Sequence, residues 1–315
     1  MRGRGDALLA LARALDDAPP VPRVSRPAPR PPVTLRPTRL GVTSIETLLR
    51  DPYAIHARHV LGLEPLPEFR DAAEAAEIGE AWHAAIAAYG RHFPAGPPAD
   101  APAQFRSRLA AAFATLLDDD AFAILREQEI ERASRAFLAW DASRRRDAGH
   151  VAVEAGGKLA LTLDDGSAFA LVARADRLER GLDGRISAFD YKTGEAPSKK
   201  MVGLYSLQLP LESAIAARGG FGPEVEGEPG ALAYLKIGGA KIFEERPVAD
   251  DSAAAAETAL ARTTVALSRY RSPDAGYVSR VAPFKKDAAG DYDHLARVRE
   301  WSAGDGPDED GEDEG

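Results

Sequence analysis

The spacing of apolar residues changes near residue 150, and this change limits the folds open to the chain. Before it, three alanine-rich stretches carry apolar side chains three and four positions apart, as Trp82, Ile86 and Tyr89 illustrate. That period predicts helices with one buried face. The predicted helices cover residues 69–93, 103–118 and 120–147.

After residue 150, short runs of alternating apolar and polar residues are separated by glycine-containing pairs that favour tight turns. The pairs are Gly156-Gly157, Asp165-Gly166 and Asp183-Gly184. The sequence therefore predicts an α+β fold, in which an antiparallel meander with flanking helices follows an N-terminal helical lobe. We assign the lobe to residues 40–148 and the sheet core to 150–302.

Five further elements are expected around this core. Thr43-Ser44-Ile45-Glu46 has the form of a capping box and predicts the start of a helix. The apolar spacing also predicts helices over 199–217, 253–269 and 292–301, and a strand over 231–237.

Segments of unusual composition flank the folded region. Residues 6–17 predict an amphipathic helix, and residues 19–37 hold eight prolines among basic residues, which indicates an extended linker. Residues 303–315 form an acidic tail, in which seven acidic side chains account for most of the net charge of −9. We therefore expect a flank of residues 1–38, a folded region of 39–302 and a disordered tail. Net charge neither requires nor excludes a nucleic-acid partner.

The composition excludes several kinds of site. The chain has no cysteine, so disulfides, zinc–thiolate sites and iron–sulfur clusters are ruled out, and any metal must be held by oxygen or imidazole ligands. No apolar run is long enough to span a bilayer and no secretory signal is evident, so we expect a cytoplasmic protein without membrane contact. No GxxxxGK[ST] sequence occurs, so ATP hydrolysis is not expected.

The meander carries a group of ionisable residues suited to metal-assisted hydrolysis. Asp190 and Lys192 lie two apart on one predicted strand, so their side chains share a face. Asp176 lies on the preceding strand, and Glu154 is expected to end the strand before that. Carboxylates at strand ends bind Mg²⁺, and a nearby ammonium can hold or deprotonate a metal-bound water. Taken alone, the D-x-K pair fits a solvated strand edge equally well.

Two polar residues on predicted helices complete the group. His83 lies beside the buried face that contains Trp82, and Gln208 opens the helix after the D-x-K strand. A lone helical histidine more often packs or faces solvent than binds a metal, and the glutamine could equally be an ordinary helical residue.

Set in chain order, these residues resemble the motif series of the RecB-type PD-(D/E)xK nuclease family. The motifs are Gly79-xxx-His83, Glu154, Ala175-Asp176-Arg177, Asp190-Tyr191-Lys192-Thr193-Gly194 and Gln208-Leu209-Pro210-Leu211. More closely, residues 39–58, 190–200, 208–215 and 291–302 resemble the C-terminal nuclease part of bacterial AddB proteins.

The resemblance implies a role for each motif position. His83, Asp176 and Asp190 would bind a divalent cation, Mg²⁺ with Mn²⁺ as a possible substitute, together with the backbone carbonyl of Tyr191. Lys192 would be the catalytic lysine, and Glu154 and Gln208 would help to place metal and phosphate. The implied substrate is DNA, as single strands and duplex ends, and the implied partner is an AddA-like helicase–nuclease subunit in a double-strand-break repair complex.

The chain departs from the family pattern in two ways. Many AddB-like proteins carry four cysteines around an iron–sulfur cluster, so this chain should be a cluster-free version. Related nucleases have tyrosine where Glu212 stands here. A non-catalytic DNA-binding or partner-docking module derived from such a nuclease is the alternative. Basic candidates for a DNA path are Arg174, Arg177, Lys199, Lys200, Lys241, Lys285 and Lys286.

Overall fold

The meander forms the centre of one mixed sheet. The computed structural model describes residues 2–16, 24–66, 70–117, 120–239, 241–283 and 289–302, and six strands occur within them. They are β1 (Arg39–Gly41), β2 (Ala148–Thr162), β3 (Ala168–Gly181), β4 (Ile186–Lys192), β5 (Pro229–Ile237) and β6 (Phe243–Pro247). β2, β3 and β4 pair antiparallel in sequence, as predicted, whereas β1 runs parallel to β3 and β5 runs parallel to β4. β6 pairs antiparallel with β5 at the sheet edge.

Helices pack on the sheet in two groups. The helices are α1 (Arg2–Asp16), α2 (Val42–Arg50), α3 (Pro52–Ile55), α4 (Arg70–His92), α5 (Ala101–Ala112), α6 (Ala114–Leu117), α7 (Asp120–Arg144), α8 (Lys199–Leu204), α9 (Gln208–Ala216), α10 (Ser252–Arg269) and α11 (Val298–Ser302), with a π-helical turn at His56–Val60. α4, α5 and α7 share an apolar core with β4 and β5. α2, α9 and α10 share another with β1, β2 and β3. No helix of the described residues has the length and apolar character needed to cross a membrane.

The sheet has a gap beside β3. β1 pairs with β3 up to Val172, and β4 pairs with the same strand from Arg177 onward. Residues 173–175 of β3 therefore pair with β2, and residues 173–176 pair with neither strand on the other side. This gap lies directly beside Asp176.

The prediction of a turn at Gly156-Gly157 is wrong. Both glycines lie inside β2, which continues through them and pairs Gly156 with Arg174. Neither has the positive φ that a tight hairpin turn requires, whereas Gly166 and Gly184, at φ values of 78° and 80°, form the other two predicted turns. A Cβ at Gly157 would lie 2.4 Å from the Phe221 ring, so this glycine serves close packing.

The single helix predicted over 199–217 is divided into α8 and α9. Pro210 explains the break, because proline in a helix interior lacks a hydrogen-bond donor and clashes with the preceding turn. It is tolerated in the first turn of a helix, where α9 places it. Gln208 thereby becomes the first residue of α9.

The capping box predicted at Thr43–Glu46 is absent. α2 begins at Val42, straight after β1, with Gly41 as its N-cap and no side-chain cap. The Glu46 carboxylate instead pairs with Arg50 at 3.0 Å.

The C-terminal helix is shorter than the predicted 292–301. Arg297 has a φ of 54°, which interrupts a right-handed helix, so α11 begins only at Val298.

Part of the predicted N-terminal flank packs on the folded region. From Val24 onward the proline-rich segment packs on the rest of the chain, since the Pro27 and Pro29 carbonyls accept hydrogen bonds from Ser279 and Tyr277. The acidic tail of 303–315 lies outside the described residues. The division into flank, folded region and tail stays a prediction.

Candidate metal and catalytic site

Asp190 is the buried centre of the D-x-K pair. Its side chain lies at the end of β4 and is only 3% exposed. Lys192 Nζ lies 2.6 Å from Oδ2, and Gln208 Nε2 donates a hydrogen bond of 2.7 Å to Oδ1. Burial raises the pKa of Asp190 to about 6, against the lowering effect of Lys192. The structure therefore brings Asp190, Lys192 and Gln208 together, as the motif spacing predicts.

Lys192 is a cation in this environment. Burial disfavours its charged form, but the Asp190 carboxylate outweighs that effect and raises the pKa of the ammonium. The ammonium also lies 5.7 Å from the centre of the Tyr234 ring. A raised pKa favours the ammonium form, which can donate hydrogen bonds and supply a positive charge, whereas service as a general base would require a lowered pKa.

Asp176 lies next to Asp190 across the β3–β4 pair. The last recorded pair is Arg177 with Phe189, and the same register continues to Asp176 opposite Asp190. The Tyr191 backbone N–H donates a hydrogen bond of 3.0 Å to Asp176 Oδ2. The two carboxylates therefore meet where β4 ends beside the middle of β3.

His83 reaches these carboxylates from α4. Its Nε2 lies 3.0 Å from the Tyr191 carbonyl oxygen, and its Nδ1 lies 3.4 Å from Asp176 Oδ2. Burial disfavours imidazole protonation, but hydrogen bonding and charge from Asp176, with the charge of Asp190, outweigh it and raise the pKa of His83.

Gly79 explains how α4 comes so close. A Cβ at Gly79 would lie 3.2 Å from Thr193 Oγ1, which is tighter than most Cβ contacts, so the glycine favours close approach of the helix to the residues after β4. His83 lies four positions later and hence on the same helix face. The Gly79-xxx-His83 spacing thus combines close helix packing with a histidine that reaches the site.

Glu154 lies in the middle of β2, and the expectation that it ends a strand is wrong. The β2–β3 register places it opposite Asp176, and its φ of 51° disturbs the strand at that point. Its Oε2 pairs with Arg174 Nε at 2.5 Å. Two carboxylates facing each other across paired strands repel, and a cation between them would offset that repulsion.

Three of these residues have the geometry to hold a metal ion. Ligand atoms of His83, Glu154 and Asp176 all lie within 4.8 Å of one another. Imidazole and carboxylate ligands suit a divalent cation, so the residues present fit such an ion. Asp190, which the resemblance adds to the ligand set, is held by Lys192 and Gln208 in this arrangement, and the Tyr191 carbonyl lies against His83.

Glu212 is a buried carboxyl group beside the site that sequence reasoning left without a role. Its Oε1 accepts a hydrogen bond of 3.1 Å from Gln208 Nε2, the same nitrogen that contacts Asp190. Burial, with charge repulsion from Asp190, raises the pKa of Glu212 well above its usual value. The sequence did contain a signal for this contact, because Gln208 and Glu212 are four residues apart on one helix and so lie on the same face.

Arg177 does not lie on a DNA path, contrary to the expectation for it. It is 1% exposed and forms ion pairs of 2.7 Å with Asp141 and with Glu179. Lys241 pairs with Glu244. The side chains of Lys199 and Lys200, and all of Lys285 and Lys286, lie outside what the structure describes.

Comparison with known proteins supports the family resemblance. A sequence profile described as the PD-(D/E)XK nuclease superfamily matches residues 39–285. Uncharacterized proteins of Rickettsia conorii and Rickettsia felis are each 28% identical over 193 residues, or 59% of this chain. The chain covers less than a quarter of their length, at 23% and 22%. The crystal structure of SSO0001 aligns with a TM-score of 0.31 and 13% identity, over 73% of this chain and 76% of that one.

Proposed function

Because the chain belongs to the PD-(D/E)XK nuclease superfamily, we propose that it is a Mg²⁺-dependent deoxyribonuclease that degrades single-stranded DNA. The observation that carries the proposal is the meeting of Asp176, Asp190 and Lys192 where β4 ends beside β3, with His83 and Glu154 next to them. A scaffold without catalysis would not need this set of costly, partly buried charges.

We assign the metal-binding role to His83, Glu154 and Asp176, with Asp190 and the Tyr191 carbonyl as the further ligands that the family resemblance implies. A divalent cation held there would lower the pKa of a bound water and neutralise charge on the scissile phosphate.

The residues around that position have separate tasks. Lys192, as an ammonium, donates hydrogen bonds to the attacking water or to a phosphate oxygen and so stabilises developing negative charge. Gln208 fixes Asp190 through its 2.7 Å hydrogen bond. Asp176 holds the Tyr191 backbone in place through the 3.0 Å bond to its N–H. The chain thus orients both the water and the carboxylates before substrate arrives.

The finer assignment follows the AddB resemblance. We propose that this domain cuts one DNA strand within an AddAB-type helicase–nuclease that processes double-strand breaks in the cytoplasm. The DYKTGEAPSKK, QLPLESAI and DYDHLARVREWS segments support it. Co-elution with an AddA-like subunit in size-exclusion chromatography tests the partner, and separate elution of the two proteins at micromolar concentration would contradict it.

The catalytic proposal is tested with single substitutions at the D-x-K pair. Asp190→Ala and Lys192→Ala should each abolish Mg²⁺-dependent cleavage of labelled single-stranded DNA while circular dichroism shows the fold intact. Lys241→Ala and Glu244→Ala remove a comparable ion pair of 2.7 Å on the surface and should cleave normally. Undiminished cleavage by both site variants would refute the assignment.

A further inference from the structure

A basic groove adjoins the carboxylate cluster at the gap in the sheet. It has a volume of about 620 Å³, and Arg39, Lys158, Arg174 and Gln208 are among the residues that line it. Two of these residues connect the groove directly to the cluster, since Arg174 pairs with Glu154 and Gln208 donates to Asp190. The groove is therefore continuous with the site.

The strand register sets the order of side chains along the groove. In antiparallel pairs, residues two apart share a face and paired residues lie side by side. Starting from the Asp176–Glu154 pair, the next pair on that face is Arg174 with Gly156, followed by Val172 with Lys158. One further step reaches Ala170, whose neighbour on β1 is Arg39. Three steps of two residues span about 20 Å.

Two of the three cations on this line are available for a ligand, since the third, Arg174, pairs with Glu154. Arg39 and Lys158 are exposed, and within the described part of the chain neither forms a recorded ion pair. Among the residues that the structure describes, no acidic side chain lines the groove. The other end of the line is the acidic, metal-binding cluster. Cations that can contact phosphates therefore lead up to the point of cleavage.

The opening of α2 adds a second kind of anion contact. Val42 and Thr43 line the groove, and the N-cap Gly41 supplies no side-chain hydrogen bond to the first turn. Backbone N–H groups at a helix start are therefore free of a side-chain acceptor and suit phosphate oxygens. No aromatic residue of the described segments lines the groove, so these segments offer bases no stacking partner there.

We propose that this groove binds the phosphate backbone of single-stranded DNA and guides it to the carboxylate cluster, with Arg39 and Lys158 as the main contacts. A single row of cations matches one phosphate backbone, and binding through phosphates alone is independent of base sequence. The inference rests on the proposed nuclease function and adds the path of the substrate.

The test combines charge removal with obstruction of the groove. Arg39→Ala/Lys158→Ala removes both free cations. Gly156→Glu places an acidic side chain on the groove face, where a Cβ at Gly156 meets no atom within 4 Å. Arg185→Ala/Arg299→Ala is the matched control, because both arginines are exposed and neither lines the groove. Gly156→Ala controls for the glycine itself.

Binding of labelled oligothymidylate to each full-length protein is measured by fluorescence anisotropy in EDTA over a range of salt. Loss of two phosphate contacts should reduce the slope of log K against log salt by about 1.4, at about 0.7 per contact on a single strand. Affinity at low salt should fall about tenfold or more for both groove variants. Cleavage at subsaturating DNA should fall in parallel, and Mn²⁺ affinity should be unchanged. Both controls should match the wild type.

The outcomes separate the path from the catalytic function. If both groove variants bind DNA with the affinity and the salt slope of the wild type, the proposed path is overturned, even if the protein cleaves DNA. Tighter wild-type binding to oligouridylate than to oligothymidylate would overturn the choice of DNA. If the wild-type protein cleaves no DNA but the groove variants bind it more weakly, the path is supported and the catalytic proposal is refuted.

Discussion

Substitution of Arg177 by methionine tests the buried ion network that anchors β3 to α7. The Arg177 guanidinium bridges Asp141 on α7 and Glu179 on β3, at 2.7 Å from each carboxylate. All three side chains are at most 2% exposed. Methionine retains part of the aliphatic volume but removes the charge.

The expected loss of unfolding free energy depends on the ion pairs that Asp141 and Glu179 keep. Removing one partner of a buried ion pair costs about 3–5 kcal/mol, because a charge is left without compensation. Here Asp141 keeps Arg145 at 2.9 Å, and Glu179 keeps Arg144 at 2.8 Å. We therefore expect the free energy of unfolding to fall by the lower end of this range, about 3 kcal/mol. At about 2–3 °C per kcal/mol for a chain of this size, the melting temperature should fall by about 6–9 °C.

Thermal unfolding followed by circular dichroism, with urea unfolding as a second measure, checks this value. The urea m-value should stay unchanged, since the surface exposed on unfolding is the same. Arg174→Met is the control, because that arginine lies on the same strand with its side chain 72% exposed and should cost about 1 kcal/mol or less. If Arg177→Met lowers the free energy of unfolding no more than Arg174→Met does, the reasoning is refuted.

Three further predictions concern the site itself. Gln208→Ala should lower cleavage by about tenfold to a hundredfold, because Asp190 loses the hydrogen bond that orients it; steady-state kinetics checks this, and full activity would contradict it. Asp190→Asn should raise the melting temperature of metal-free protein at pH 8 while abolishing cleavage. A carboxyl group with a raised folded-state pKa contributes stability below its unfolded pKa near 3.8, and that contribution is lost as the pH rises toward about 6. The gain from Asp190→Asn should therefore shrink toward pH 4, and a gain independent of pH would contradict the prediction. Glu212→Gln should likewise leave the urea midpoint unchanged at pH 4 and raise it at pH 8, because burial raises the Glu212 pKa; a lower midpoint at pH 8 would count against it.

Local rules were enough to predict much of the D-x-K strand. Strand alternation alone places Asp190 and Lys192 on one face, because it depends only on residues two apart. The turns at Gly166 and Gly184 follow from an equally local requirement for positive φ. The helix start at Gln208 could also have been read from Pro210, two residues later, although the continuous apolar spacing concealed it.

Features that depend on contacts between residues far apart in the sequence could not be predicted from such local rules. The position of Glu154 opposite Asp176 depends on the register of the long β2–β3 pair, and a misplaced turn at Gly156-Gly157 hides that register. The burial of Arg177 depends on Asp141, which lies 36 residues earlier on another element. The groove depends on Arg39 in a three-residue parallel strand too short to give a periodic signal.

Titration of the metal-free protein with Mn²⁺ tests most directly whether these residues form a metal-dependent active site. Isothermal calorimetry above pH 7 should show saturable binding to the wild type, and Asp176→Asn, which keeps the shape but removes the charge, should weaken it by more than about tenfold and lose cleavage in the same samples. Equal Mn²⁺ affinity in the two proteins, or cleavage by Asp176→Asn at the wild-type rate, would contradict the assignment of the carboxylate cluster as the catalytic metal site.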